Sequence, residues 1–172
     1  MRTFYTVDRS GRLSEGLVID LKTENRLEPP ELKEHVSSIF SEGLSEHGFN
    51  YLVNPHSQAN EKSAATELFF EYVRRSFFPH IRSRFQCLFA CETLPQAQTF
   101  KSTHGNSESK IFEVSSSTNY FVGNMSLLNN AQSALFYSFR AHEYWRGNVG
   151  QISEQFWEVL LELPVTIGRQ VG

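Results

Sequence analysis

The chain is short of cysteine, of net charge and of long apolar runs, and each shortage closes off a class of protein. Only Cys87 and Cys91 occur among 172 residues. Read as four residues along one extended strand, they stand about 13 Å apart, beyond the roughly 7 Å that a disulfide allows between Cα atoms. They are expected to be free thiols on one face, and the commoner role of such residues is that of a small buried hydrophobe. No second cysteine pair or histidine pair has ligand spacing, so no metal is expected. The formal net charge of -3 exerts no global pull toward nucleic acid or acidic membranes. No apolar stretch approaches a bilayer span, and no positively charged start followed by an apolar run opens the chain. A cytoplasmic protein without a membrane partner is expected. Internal repeats, low-complexity segments and interior linkers are also missing, so residues 1–172 are read as a single domain.

What is abundant is phenylalanine, at fifteen residues within an otherwise ordinary 40% hydrophobic and 20% charged composition. That count favours a packed core and a stacking surface for a flat ligand. The sequence is organised around residues 83–114. Arg84 to Cys91 reads as an aromatic, apolar strand. Thr93-Leu94-Pro95-Gln96 then reads as a helix start, with Thr93 as cap, Gln96 at the reciprocal capping-box position and Pro95 in the first turn. Lys110 to Val114 alternates and reads as a strand.

Around this unit, Arg2 to Val7 reads as a first strand and Glu31 to His47 as a helix with Leu32, Val36, Ile39, Phe40 and Leu44 on its buried side. A second helix, capped by Asn60 or Ser63, runs to about Phe77 and buries Ala65, Leu68, Phe69, Tyr72 and Val73. A third, capped by Asn129 or Asn130, turns Ala141, His142 and Trp145 inward. Phe156 to Ile167 reads as a final strand interrupted by Pro164. Helices come early and strands cluster late, which predicts an α+β fold with small, mostly antiparallel sheets and flanking helices.

Glu158 is the first candidate for chemistry. It is an acid among Phe156, Trp157, Val159 and Leu160, and either it is buried at a site or it faces outward beside Glu162 on an antiparallel strand. Ser83, Arg84 and Glu92 bracket Phe85, Leu88 and Phe89 and are either site residues or solvated strand ends. Arg74, Arg75, His80, Arg82 and Arg84 form a local basic cluster, read either as a solvated helix end or as an anion site. Asn124-Met125-Ser126 fits a glycosylation sequon, by chance in a chain of this kind. No nucleophile elbow and no Walker or Rossmann glycine loop occurs.

Taken in order, four stretches resemble the ADP-ribosyltransferase superfamily of toxins and bacterial effectors. They are Phe4 to Arg9 followed by Leu13 and Gly16; Phe85 to Thr93 with Ala97 and Phe100; Lys110 to Val114; and Trp157 to Leu161 before Pro164. The resemblance implies a bacterial toxin, effector or defence role and no metal. It implies NAD as substrate and transfer of ADP-ribose to a macromolecular acceptor, protein or nucleic acid, through a ribosyl oxocarbenium-like transition state. Glu158 would be the catalytic acid. Tyr5 and Phe89 would sandwich the nicotinamide, Arg9 and Arg84 would meet the pyrophosphate, and Ser83 would line the same pocket. Thr6 falls where family members carry Arg or His, Cys87-Leu88-Phe89 replaces the Ser-Thr-Ser set of one subgroup, and Phe156 stands where a second acid would. Two alternatives follow: a non-catalytic nucleotide- or protein-binding module on the same fold, and an RNA-end phosphotransferase-like enzyme suggested by the basic cluster.

Overall fold

The computed structural model describes residues 2–23, 27–54, 61–116, 119–129 and 133–172. Among the described residues, seven strands form two antiparallel sheets. Strands β1 (Arg2–Asp8), β2 (Val18–Ile19), β4 (Lys110–Ser116) and β7 (Val165–Gln170) make a four-stranded sheet in the order β1-β4-β7-β2. Strands β3 (Cys87–Ala90), β5 (Tyr120–Asn124) and β6 (Trp157–Glu162) make a three-stranded sheet in the order β3-β6-β5. The sheets are tied where β1 meets the residue after β3: Tyr5 and Cys91 exchange backbone hydrogen bonds of 3.0 and 2.7 Å. Helices α1 (Pro30–Ile39), α2 (Glu46–Gly48), α3 (Glu61–Phe77), α4 (Leu94–His104) and α5 (Ala134–Trp145) flank them. This is the expected single-domain α+β architecture. Among the described residues no helix is long and apolar enough to cross a membrane.

Strand periodicity decides which core each side chain joins, because successive residues point to opposite faces. In β6, Val159 and Leu161 pack with Phe4, Phe112, Val114 and Ile167 in the core between the sheets. Leu160 points the other way, into a second core with Phe70 of α3 and Tyr144 and Trp145 of α5. Glu158 shares the parity of Leu160 and so faces the helices. In β1, Phe4, Thr6 and Asp8 are buried on one face, while Tyr5 and Val7 pack with Cys91, Ala97 and Ile111 beneath α4.

The capping box on α4 forms in both directions: Gln96 N donates to Thr93 Oγ1 at 3.4 Å and Thr93 N donates to Gln96 Oε1 at 3.0 Å. Five expectations need correction. Arg84–Gln86 is a 3₁₀ turn capped by Ser83, whose Oγ accepts from Phe85 N, so only Cys87–Ala90 is strand. The final strand is two strands in different sheets, β6 and β7, with Pro164 at the crossing. The helix expected over residues 31–47 stops at Ile39. Gly43 then adopts φ 100°, where a Cβ would lie 2.6 Å from Lys22 O, and the chain bridges Lys22 before Ser45 starts α2. The cap of α5 is Ser133 rather than Asn129, and Asn130 lies outside the described residues.

The fifth correction concerns α3. Its buried face carries Thr66, Glu67, Phe70, Glu71, Val73 and Arg74, while Phe69, Tyr72 and Phe77 are exposed. Ser63 is inside this helix, and the other expected cap, Asn60, is outside the described residues. In the charged stripe that turns inward, Glu67 neutralises Arg84, which arrives from later in the chain, and Glu71 pairs with Arg74 and Arg75 of the helix itself.

Candidate functional site

Arg84 is the centre of the charged cluster, and the 3₁₀ turn before β3 aims it inward. Its Nε and Nη2 donate to Glu67 Oε2 and Oε1 at 2.7 and 2.9 Å, a two-point grip on one carboxylate. Its Nη1 donates to the phenolic oxygen of Tyr144 at 2.5 Å and also to Glu158 Oε1. Tyr144 in turn donates to the same Glu158 oxygen at 2.8 Å. Four side chains from α3, the turn, α5 and β6 thus close one buried network. The guanidinium also lies 4.7 Å from the centre of the Phe89 ring.

His47 of α2 extends the cluster. Its Nε2 lies 3.4 Å from Glu67 Oε1, close enough to feel the charge but off the line of a hydrogen bond. The imidazole stacks on Tyr51 at 4.3 Å and meets Phe89 at 4.6 Å. Aromatic rings therefore wall one side of the charged groups.

Burial alone would push Glu67 up, but the Arg84 charge, and then His47, outweigh it and hold the carboxyl well below its ordinary range. Burial works against charged Arg84, yet Glu158 and Glu67 keep its pKa well above the ordinary value. Burial and the Glu158 charge push the Tyr144 phenol well up, against the opposing pull of Arg84. Burial likewise raises Tyr51, with Glu67 adding to the shift while Arg84 and Arg9 oppose it. Tyr51 thus sits within the field of Arg9 as well as of the buried cluster.

The two oxygens of Glu158 are unequal. Oε1 accepts from Arg84 and from Tyr144. Oε2 accepts no hydrogen bond among the described residues and is not one of the sealed polar atoms, although the residue is only 4% exposed. One oxygen is held by two donors, and the other has no hydrogen-bond partner among the described residues and is not fully sealed. The acid is buried against the helices, so the outward-facing alternative for this strand is set aside.

The candidates named from sequence separate into three groups. Glu158, Arg84 and Phe89 meet in the cluster. Ser83 belongs to a neighbouring network, donating to Glu71 Oε2 at 2.8 Å, where Arg74 and Arg75 also converge. Tyr5 and Arg9 stand apart. Tyr5 packs beneath α4 and makes no ring contact with Phe89 among the described residues, so the expected sandwich is corrected: the ring beside Phe89 is His47. Arg9 is exposed, lies 5.7 Å from the centre of the Phe100 ring and has no carboxylate against it among the described residues.

The basic run also reads differently in three dimensions. Arg74 and Arg75 pair with Glu71, Arg82 with Glu42, and Arg84 with Glu67 and Glu158. Each guanidinium of that run has a carboxylate partner. Asn124 of the sequon is fully buried, with its side chain bonded to Val149 O and Ser126 N, so it is not open to glycosylation. Both cysteines are free and buried but in different cores, Cys87 beneath α3 and α5 and Cys91 beneath α4, rather than on one shared face. Burial, with the Glu158 charge adding, pushes the Cys91 thiol up to about 11.

Sequence reasoning missed Glu67, Tyr144, His47 and Tyr51. The signal for Glu67 was a charge account: four arginines packed into residues 74–84 need acids, and Glu67 and Glu71 lie one helical turn apart on the nearest helix.

The fold and site define a small α+β protein of two antiparallel sheets with an acid–guanidinium cluster buried between sheet and helices. The chain belongs to the family described as Protein of unknown function (DUF2441), whose model matches residues 4–171. No curated protein matches the sequence.

Proposed function

We propose that the chain is an ADP-ribosyltransferase-like enzyme that uses NAD as a substrate and transfers ADP-ribose to a macromolecular acceptor, protein or nucleic acid. The observation that carries this reading is the open oxygen of Glu158. In such a reaction the bond between ribose C1′ and the nicotinamide nitrogen breaks, and its electrons leave with the ring. The acceptor nucleophile then bonds to C1′ and gives up its proton. A carboxylate oxygen that accepts a hydrogen bond from a ribose hydroxyl and faces the developing cation lowers that barrier. Glu158 Oε2 suits that task, and Oε1 is fixed by Arg84 and Tyr144. Support also comes from convergence: Thr6 Oγ1 of β1 donates to Phe89 O of β3 at 2.8 Å, and β3 pairs along β6, which carries Glu158.

Incubation with NAD labelled in the adenylate, together with cell lysate, tests the reading. Transfer of label to macromolecules and release of nicotinamide are expected, with Glu158→Gln slowing both by about 10²-fold or more. Absence of both products under all conditions tried would defeat it. The second reading, a non-catalytic nucleotide-binding module, is favoured by the grip of Arg84 on Glu158. It predicts that ADP-ribose raises the melting temperature while Glu158→Gln alters no turnover.

A further inference from the structure

The Arg84 guanidinium has more than one edge that can present two N–H groups to a carboxylate, and which edge each acid takes decides what Glu158 can do. Glu67 occupies Nε and Nη2. Glu158 is left with Nη1, which it shares with Tyr144, and only its Oε1 is engaged. We infer that Glu67 is a positioning residue: by taking the Nε–Nη2 edge it stops Arg84 from turning a two-point grip onto Glu158, and so keeps Oε2 open for a ligand hydroxyl. This rests on the transferase reading above, and it adds a carboxylate from a helix that none of the four motif stretches contains.

The geometry restricts the alternatives. Glu67, Arg84 and Glu158 are all nearly sealed, with side-chain exposures of 6%, 5% and 5%, so water cannot easily replace a lost partner. A guanidinium freed on one edge in such a place seeks the nearest acceptor, and a bidentate pair with Glu158 is the strongest available. Tyr144 cannot block that rotation alone, because it contacts only Nη1. The side-chain amide of Gln keeps the size of Glu67 but offers one acceptor oxygen in place of two.

Glu67→Gln is the test, read in two independent ways. The first is the Arg84 Nε–H signal in ¹⁵N NMR, which does not depend on activity. In the wild-type protein it is protected from exchange; in Glu67→Gln it shifts and exchanges faster, while in Glu158→Gln it stays in place. The second is turnover. Glu67→Gln is expected to lower kcat for nicotinamide release by about 10²-fold, the scale of a misplaced catalytic group, with little change in KM. The double variant with Glu158→Gln should be no slower than Glu158→Gln alone, because both act through one oxygen. Should Glu67→Gln fail to fold, Glu67→Asp keeps the charge one methylene short and is expected to show an intermediate loss.

An unmoved Arg84 signal in Glu67→Gln would overturn the inference, as would a moved signal with kcat unchanged. If the wild-type protein releases no nicotinamide, the transferase reading fails by itself. The inference is then read from melts with ADP-ribose, where Glu67→Gln must abolish a shift that the wild-type protein shows. Retention of that shift in the variant also overturns it.

Discussion

A carboxylate and a guanidinium as deeply buried as Glu67 and Arg84 persist only as a pair, because either one alone would carry an uncompensated charge in a poorly solvated site. Arg84→Met should therefore cost about 3–5 kcal/mol of unfolding free energy at neutral pH, since it leaves two acids facing each other. Urea melts at pH 7 measure this. The same pair sets a pH dependence. The folded-state pKa of Glu67 is depressed far below its ordinary 4.5. Its contribution is therefore complete above that ordinary value and is lost as pH falls through the depressed one. Asp8 acts in the same direction: burial opposes its charge, but backbone N–H groups from Leu13, Arg12 and Ser10 lower its pKa overall. The melting temperature of the wild-type protein should fall steeply in acid. In Glu67→Gln the fall should be shallower and the two curves should converge. Parallel curves would mean that Glu67 is not the acid that controls this region.

At the scale of elements, local chemistry was legible and long-range compensation was not. The start of α4 could be read from Thr93, Pro95 and Gln96 because a capping box is complete within four residues. Removing it with Thr93→Ala should cost about 1 kcal/mol, as measured by chemical denaturation. The parity of β6 could be read from alternation, which put Glu158 and Leu160 on one face. The buried side of α3 could not. An apolar stripe through Leu68, Phe69 and Tyr72 competes there with a charged stripe through Glu67, Glu71 and Arg74. The choice depends on Arg84 and Ser83, which lie in a different element. Tyr5 was misplaced for a related reason: parity gives the two faces of β1 but not which of them receives α4. Gly123 shows the same dependence in β5. A Cβ there would lie 2.6 Å from two ring carbons of Tyr144. Gly123→Ala should then cost about 1–3 kcal/mol through overpacking. It should also displace the phenol from Glu158 and lower turnover, whereas an alanine accepted without either effect would show that the Tyr144 ring has room to shift.

At the scale of the whole molecule, three helices and the three-stranded sheet converge on one cluster, so a ligand that engages it should stabilise the fold as a unit. His47, Glu67, Arg84, Tyr144 and Glu158 come from α2, α3, the turn before β3, α5 and β6, and Arg9 stands exposed at the end of β1 with only an aromatic ring against it among the described residues. A ligand with a ribose and a pyrophosphate would draw Glu158 Oε2 and Arg9 together, adding contacts between the two sheets. ADP-ribose at about 100 times its Kd adds about 2.7 kcal/mol to the folded state. For a domain of this size each kcal/mol raises the melting temperature by about 2–4 °C, so a shift of about 5–10 °C is expected from differential scanning fluorimetry. Arg9→Ala removes a charged hydrogen bond of about 1.5–3 kcal/mol and should erase most of that shift, while Phe77→Ser, on the outward face of α3, should leave it intact. A shift indifferent to Arg9 would place the anion elsewhere. No shift in the wild-type protein would mean that the open oxygen of Glu158 serves no sugar.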